Sequence, residues 1–416
     1  MDNYTAISIL VALGALLSYI NLRFIRLPGT IGIVVLASVI TILSLVLGSL
    51  SASFAALLRD LTERIDFSRT LLEIMLGFLL FAAALQVDFN DLKAQFKPVL
   101  VMGTVGVILS TVLFAFGFLF LTRALSIDMP LIFCFMFGAL ISPTDPVAVG
   151  AVLRQSPIPH RLETIITGES LINDGVGLVL FVSLQEVADP NVDFRFSDAL
   201  LLFAREVIGG ISLGLAMGYV AYRLIKATDD FQTVVLLSLA LVMVLSVFTT
   251  AVHASVPLAE VAAGLLLGTR LSGSKDQNSP KAYLNRFWHL IDEMLNTILF
   301  VMIGLQIIVL PVLSDYLLIG LLSIPLMVLA RGLSIALPFL LQFRREQQTP
   351  GSLRILTWAG LRGGISIALA LSLPDSDYKE VILASCYCLV LFSIVGQGLT
   401  LGRLVTSVAQ PRQAKA

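Results

Sequence analysis

The stretch Gly168-Glu169-Ser170-Leu171-Ile172-Asn173-Asp174 places two carboxylates and an amide in the middle of an apolar segment that runs from residue 165 to 187. Each ionised side chain at the centre of a membrane-spanning helix costs roughly 2.5–3.5 kcal/mol. Glu169 and Asp174 both carry this cost within six residues, so we expect these charges to have a function. A further carboxylate, that of Asp145, lies in the apolar surroundings of Ser142-Pro143-Thr144-Asp145-Pro146.

The composition predicts a polytopic membrane protein. Of the 416 residues, 57% are hydrophobic and 13% charged, and the mean hydropathy is +0.94. A soluble protein carries about 25% charged residues, and a chain this apolar would expose an unacceptable apolar surface in water. The net charge of −1 gives no indication of a nucleic-acid partner. Cys134, Cys386 and Cys388 lie in apolar runs and are interpreted as core residues, and no cofactor is expected.

Apolar runs of about 20 residues, bounded by charges, proline and glycine, predict thirteen membrane-spanning helices. The predicted spans 1 to 13 lie near 4–22, 31–50, 70–87, 98–122, 130–152, 161–187, 200–224, 233–252, 257–271, 288–309, 313–342, 353–373 and 379–404. The first run lacks a basic leader and a small-residue cleavage site, so it is interpreted as a span and not as a removable signal peptide.

The distribution of basic residues predicts the orientation. Of the 27 lysines and arginines, 18 fall on the side of the loops that follow odd-numbered spans, six on the other side and three within spans. Basic residues concentrate on the cytoplasmic side. The sequence therefore predicts a cytoplasmic C-terminus with a short tail at 405–416, an N-terminus on the opposite side, and one membrane domain over 1–416.

Two predicted spans carry helix-breaking residues at corresponding places. Pro143 and Pro146 interrupt span 5, and Gly360-Leu361-Arg362-Gly363-Gly364 interrupts span 12. Interruptions at matching positions of two halves are typical of inverted-repeat transporters, whose substrate site lies near the middle of the bilayer. We expect two six-helix repeats at about 4–187 and 233–404, joined by a linker helix at 200–224.

The chemistry at these breaks favours a small cation. Proline removes a backbone donor and unwinds the helix, so the break in span 5 frees carbonyl oxygens beside Asp145. On span 6, Glu169 and Asn173 are four residues apart, as are Ser170 and Asp174, so both pairs share one face. Hydroxyl and carboxylate oxygens suit hard cations, and the candidate cation ligands are Thr144, Asp145, Ser170 and Asp174. A carboxylate in a partly dehydrated cavity can exchange a proton for a cation, and Asp174 is the principal candidate.

Arg331 and Arg362 are predicted to lie within spans. An unpaired arginine there is as costly as an acid, so each is expected to meet a carboxylate or the carbonyls of a broken helix. Structural pairing is favoured over contact with the ion for both. Glu73 and Glu260 are possible partners, and the sequence does not pair them.

Four motifs resemble the NhaP-type sodium/proton antiporters of the cation:proton antiporter-1 family. They are Ser142-Pro143-Thr144-Asp145-Pro146-Val147-Ala148-Val149, Gly168-Glu169-Ser170-Leu171-Ile172-Asn173-Asp174-Gly175, Leu299-Phe300-Val301-Met302-Ile303-Gly304-Leu305 and Gly360-Leu361-Arg362-Gly363-Gly364-Ile365-Ser366. The likeness extends over nearly the whole chain, and the first two motifs are highly specific.

This resemblance implies a plasma-membrane homodimer of thirteen-helix subunits that exchanges sodium or lithium for protons in pH homeostasis. It implies that a mobile core of spans 4–6 and 11–13 moves against a dimer domain, and that Asp174 carries the exchanged ion with help from Thr144, Asp145, Glu169 and Ser170. Asn173 would be structural, held by Arg331. The Asn-Asp pair, in place of the Asp-Asp of electrogenic relatives, implies electroneutral exchange.

One feature departs from the resemblance. Many relatives carry a glutamate after the Leu-Leu-Phe of span 3, and that acid pairs with the span 11 arginine, whereas this chain has Leu80-Phe81-Ala82-Ala83-Ala84. Glu73 lies nine residues before Ala82. This separation is about 13 Å along a helix, so Glu73 cannot occupy the position of the relatives' glutamate. The sequence therefore leaves the partner of Arg331 open. A long regulatory tail is also not expected.

Three alternatives remain at this point. A potassium/proton antiporter on the same scaffold is open, because no residue separates sodium from potassium. An intramembrane aspartyl protease would need a carboxylate dyad that shares a proton, and neither Asp145 nor Asp174 lies in a motif of that family. A passive channel predicts ion flux that is uncoupled from the pH gradient.

Overall fold

The computed structural model describes residues 3–46, 58, 60–62, 65–146, 149–150, 158–188, 196–271, 279–309, 316–342 and 351–409. Regular structure in these residues is helical throughout, with no strand among them. Nine of the helices described there are long and apolar enough to cross a membrane. Large apolar side chains, such as Leu22, Leu201 and Leu329, lie exposed on the outside of the bundle. This is the surface that a lipid environment requires, so the chain is a multi-pass membrane protein.

Seven helices in the first half of the chain have both ends within the described residues. They are α1 (Asn3–Ile20, continued by a π-helical turn Asn21–Ile25), α2 (Gly29–Val46), α3 (Phe67–Gln86), α4 (Phe89–Ala94), α5 (Phe96–Ala124), α6 (Leu131–Ile141) and α7 (His160–Val187). The short α4 was not predicted from the sequence.

The second half forms eight more. They are α8 (Phe196–Ile225), α9 (Phe231–Ala251), α10 (Val256–Arg270), α11 (Pro280–Leu305), α12 (Leu317–Gln342), α13 (Ser352–Trp358), α14 (Gly364–Leu371) and α15 (Asp377–Leu391, continued by Phe392–Gln397 and Gly398–Ala409).

Each of the thirteen predicted spans overlaps helical residues, and two boundaries are corrected. The helix predicted at 288–309 begins at Pro280, because Ser279 accepts a hydrogen bond from the backbone N–H of Ala282 and proline suits the first helical turn. α15 continues through 405–409, where a tail was predicted, and 410–416 lie outside the described residues. In span 5, residues 147–148 and 151–152 also lie outside them. The number of membrane crossings and the repeat boundaries remain predictions.

The helices pack as two groups. α5, α6 and α7 pack with α12, α14 and α15, and the larger apolar core around them also takes in side chains of α1, α2, the first half of α3 and the end of α11. α3, α8, α9 and α10 pack around the buried Trp288 of α11. The first group corresponds to predicted spans 4–6 and 11–13. A smaller apolar cluster lies where the groups meet, formed by Leu76, Leu80 and Ala84 of α3, Leu171 of α7 and Val261 of α10.

Candidate cation site

Both predicted helix interruptions are present, and they contact each other. α6 ends at Ile141 and the chain is non-helical over 143–145, while α13 ends at Trp358 and α14 begins at Gly364. The backbone N–H of Asp145 donates to the carbonyl oxygen of Leu361 at 2.7 Å. Polar groups freed at one break therefore bind the other, which is how irregular backbone is tolerated at membrane depth.

Arg362 reinforces this crossing. Its guanidinium donates to the carbonyl oxygen of Pro143 at 2.7 Å and also to that of Ser142. Its backbone N–H donates to the hydroxyl of Ser393 at 2.7 Å, and this hydroxyl donates to Gln397 within the π-helical turn of α15. The expectation that Arg362 meets broken-helix carbonyls is confirmed, and the side chain is buried.

Gly363 permits the close approach of the two breaks. A Cβ atom at this position would overlap the carboxylate of Asp145. Asp145 is half-buried. A side chain at Gly363 would therefore displace the candidate ligand.

An amide–hydroxyl network ties the first break to α7. The backbone N–H of Thr144 donates to Oδ1 of Asn173 at 3.2 Å, and Nδ2 of Asn173 donates to Oγ1 of Thr144 at 2.8 Å. The hydroxyls of Thr144 and Ser170 lie 2.9 Å apart. All three side chains are buried. Because much of their hydrogen-bonding capacity is used within the network, they hold the break in register with α7.

Asp145 and Asp174 line one small cavity. Its volume is about 40 Å³, and Asn296, Gly363 and Ser366 also line it, with leucines of α3 on the opposite wall. This exceeds the space that one water needs, so a dehydrated monovalent cation fits. Among the residues that the structure describes, none donates a hydrogen bond to the carboxylate of Asp174, which is 3% exposed and interacts electrostatically with Asp145 and Arg362.

Glu169 is placed differently from Asp174, although both belong to α7. Its carboxylate forms a two-point ion pair with Arg331 of α12, in which Nη2 donates to Oε2 at 3.0 Å and Nη1 donates to Oε1. Both side chains are buried. Glu169 therefore neutralises Arg331, and among the described residues it is not part of the cavity lining.

The partner of Arg331 corrects one expectation. Asn173 was expected to be held by Arg331, but its amide bonds to Thr144 instead. Glu73 pairs with Arg69 on the exposed surface at 2.9 Å, and Glu260 accepts from Ser246 at 3.2 Å in the other helix group. Glu169 lies one helical turn before Asn173. Arg331 therefore contacts the same face of α7 as expected, but one turn closer to the N-terminus of the helix.

A second, wider cavity lies next to the first. Its volume is about 330 Å³, and it shares Ala83 and Pro146 with the aspartate cavity. Four acids line it, together with a histidine: Asp88, Asp91, Glu163, Asp292 and His160. An acidic cavity of this kind concentrates cations beside the aspartates.

Asn296 of α11 lies between the two cavities and was missed in the sequence. Its Nδ2 donates to the main-chain oxygen of Asp292 at 2.8 Å and to Oδ1 of Asp292 at 2.9 Å. Asp292 lines the wider cavity and Asn296 the aspartate cavity. Because both donors are turned toward Asp292, the amide oxygen is the group left to face the aspartates. The available signal was a lone amide inside an apolar run.

The sequence profile described as "Sodium/hydrogen exchanger, transmembrane" matches residues 9–407. The Na(+)/H(+) antiporter NhaP of Pseudomonas aeruginosa is 38% identical over 96% of this chain and 95% of its own. This chain belongs to the sodium/hydrogen exchanger family. The Na(+)/H(+) antiporter NhaH of Halobacillus dabanensis is 30% identical over 83% of this chain and 85% of its own.

A solved structure of this family shares the fold. The sodium proton antiporter MjNhaP1 from Methanocaldococcus jannaschii at pH 8 superposes with a TM-score of 0.79, covering 98% of this chain and 99% of its own, at 19% sequence identity. The predicted fold class and the resemblance to NhaP-type antiporters are confirmed, and the family consists of transporters and not of enzymes.

Proposed function

We propose that this protein is a plasma-membrane antiporter that exchanges sodium for protons at Asp174, one for one. The observation that carries the proposal is the buried Asp174 carboxylate, which faces a cation-sized cavity beside Asp145 and receives no hydrogen bond from the described residues. A buried carboxylate without such partners is stabilised either by a bound cation or by a proton. Sodium and the proton therefore compete for the same oxygen atoms. The names of the relatives support sodium as the cargo.

In this mechanism the residues around Asp174 have distinct roles. Asp145 supplies a second carboxylate oxygen to the cation. Thr144 and Ser170 are not among the described residues that line the cavity, so their hydroxyls are proposed to add neutral oxygens only when a bound cation draws a free lone pair of the network toward it. Lithium, which prefers similar oxygen ligands, is proposed to use the same site. No cofactor takes part beyond the transported ions.

The charges of the site favour electroneutral exchange. Arg331 and Glu169 cancel each other, and Asn173 is an amide that does not titrate. Arg362 remains as a fixed cation near Asp145 and Asp174. Exchange of one sodium ion for one proton at Asp174 then leaves the charge of the moving site unchanged in both directions.

Alternating access is proposed to use the two helix groups. The group with α5–α7, α12, α14 and α15 holds all of the proposed ligands, and its contact with α3 and α10 includes an apolar cluster. Hydrogen bonds from Ser68 of α3 to Ala368 of α14 and from Tyr387 of α15 to Ile303 of α11 also cross between the groups, and these bonds would have to exchange when the helices slide. We propose that this group moves against the other, which forms a homodimer, with the wider acidic cavity on the cytoplasmic side.

Proton efflux from liposomes tests this function. Purified protein is reconstituted into vesicles with an internal pH dye, and sodium, lithium, potassium or choline chloride is added outside. We expect alkalinisation inside with sodium and lithium and none with choline. Exchange driven by potassium as efficiently as by sodium would overturn the proposed selectivity, and cation flux without any pH change would indicate a channel.

A further inference from the structure

A groove on the outside of the moving helix group is separate from the cation site. It lies between α12, α13 and α15, has a volume of about 770 Å³ and shares no described lining residue with either cavity above. Leu353, Trp358 and Leu404 form apolar parts of its wall, and Arg354 and Arg403 add two positive charges.

The two arginines are suited to an anionic ligand. Both are exposed, and neither has a carboxylate partner among the described residues. No acid appears among the described residues that line the groove. Arginine binds phosphate through two parallel N–H donors, and the two guanidinium groups share one groove.

The apolar wall indicates a ligand with a hydrocarbon portion. The indole N–H of Trp358 donates to the hydroxyl of Thr400 at 2.8 Å. Its polar atom is therefore satisfied within the protein, and its ring is left for apolar contact with the groove. Tryptophan and arginine side by side are typical of the boundary between acyl chains and headgroups.

We propose that this groove binds an anionic glycerophospholipid. Its phosphate contacts Arg354 and Arg403, and the part of an acyl chain next to the headgroup lies along Leu353, Trp358 and Leu404. Basic grooves between membrane helices are known sites for such headgroups. A neutral lipid would leave the two positive charges without compensation. Another segment of protein would need acidic side chains at the same two positions.

The position of the groove connects lipid binding to the cation site. α13, which carries Arg354 and Trp358, leads directly into the break that holds Arg362. α15, which carries Arg403, also carries Ser393, the acceptor for the backbone N–H of Arg362. A lipid that bridges α13 and α15 would hold these two elements together behind the site.

Tryptophan fluorescence provides a direct test, because the chain has only two tryptophans. Trp288 is fully buried. The difference in quenching between the unsubstituted protein and Trp358→Phe therefore measures contact of the lipid with Trp358. The protein is reconstituted in bilayers that contain brominated phosphatidylglycerol or brominated phosphatidylcholine at equal mole fraction. We expect stronger quenching by the anionic lipid. An interaction of ~1 kcal/mol per basic side chain corresponds to a roughly five-fold higher affinity for the anionic lipid from each arginine.

The matched variants remove the charges one at a time. Arg354→Gln and Arg403→Gln should each lower the preference, and the double variant should abolish it. Arg223→Gln, at an exposed arginine near the end of α8 outside the groove, should not change it. Equal quenching by both lipids in the unsubstituted protein would overturn the proposal, as would weak quenching by both, which would place protein in the groove. A preference that survives in the double variant would also overturn it. None of these readouts depends on transport.

Discussion

The backbone N–H of Asp145 donates a 2.7 Å hydrogen bond to the carbonyl oxygen of Leu361, so the two interrupted helices are joined through their main chains. The same crossing is strengthened by Arg362, which binds carbonyl oxygens of the first break. The two breaks are therefore held together next to Asp145. A main-chain link of this kind is independent of the charge on the Asp145 side chain, which allows the side chain to be tested without dismantling the site.

Asp174→Asn should abolish sodium/proton exchange and leave the protein folded. The substitution keeps the shape of the side chain but removes the group that is proposed to bind both ions. Exchange is measured by dye-detected pH change in proteoliposomes, and folding by gel filtration and melting temperature in detergent. Asp375→Asn, at an exposed acid that pairs with Lys379 at 2.8 Å, is the matched control and should transport normally. Exchange by Asp174→Asn near the control rate would refute the assignment.

Asp145→Asn should also reduce exchange severely, with a smaller effect on folding than a change at Arg362. The main-chain bond to Leu361 remains, whereas one of the two cavity carboxylates loses its charge. Sodium binding is measured by isothermal titration calorimetry. Sodium affinity equal to that of the unsubstituted protein would show that Asp145 is not a ligand.

The two helix breaks and the two aspartates could be predicted from the sequence, because proline, glycine and acids inside a membrane span act on the helix that carries them. The Pro143–Pro146 pair and the glycines at 363 and 364 favour a local break, and a carboxylate in an apolar run indicates a polar site. A single proline is a weaker signal, because α12 continues through Pro325 and Pro338. The partner of Arg331 could not be found in the same way. Glu169 lies 162 residues away, and the pairing depends on how α12 is rotated against α7.

Asn296 illustrates the same limit. Its importance comes from lining the cavity with Asp145 and Asp174 while it donates to Asp292, and that position is set by the packing of α11. An isolated amide in an apolar run is equally compatible with a structural hydrogen bond inside its own helix. Only the three-dimensional contacts distinguish the two interpretations.

Asn296→Ala should raise the KM for sodium and leave the melting temperature nearly unchanged. The loss of one amide oxygen on the path to the aspartates removes about 1 kcal/mol of interaction, or roughly a five-fold change in affinity. Thr297→Ala changes the next residue, whose hydroxyl bonds to Glu293 within the same helix, and serves as the control. Sodium kinetics of Asn296→Ala that match those of Thr297→Ala would contradict a role in ion access.

Transport should generate no steady current. In the proposed mechanism one carboxylate, that of Asp174, exchanges the ions, and Asn173 cannot carry a second proton in place of an acid. Currents are recorded on a solid-supported membrane after a sodium jump, and exchange is measured in parallel with an imposed membrane potential. A transient binding signal is compatible with electroneutral exchange. A sustained current that reverses with the potential would show that unequal numbers of sodium ions and protons are exchanged per cycle.

Arg331 should matter more for stability than for binding the ion. Arg331→Ala leaves Glu169 buried without its partner, and the loss of one member of a buried pair typically costs about 3–5 kcal/mol. Its melting temperature in detergent should therefore fall markedly. Arg331→Lys should recover only part of the stability, because an ammonium cannot reproduce the two-point contact with Glu169.

A double-mutant cycle separates this role from transport. Glu169→Gln leaves the arginine charge buried, so it should destabilise the protein as Arg331→Ala does. The double variant Glu169→Gln/Arg331→Gln removes both charges and should lose less stability than the two single losses added together, because neither charge is left alone. The cycle is read from melting temperatures, with sodium affinity measured on each protein. If Arg331→Ala melts like the unsubstituted protein but no longer binds sodium, the arginine belongs to the transport site and the structural assignment fails.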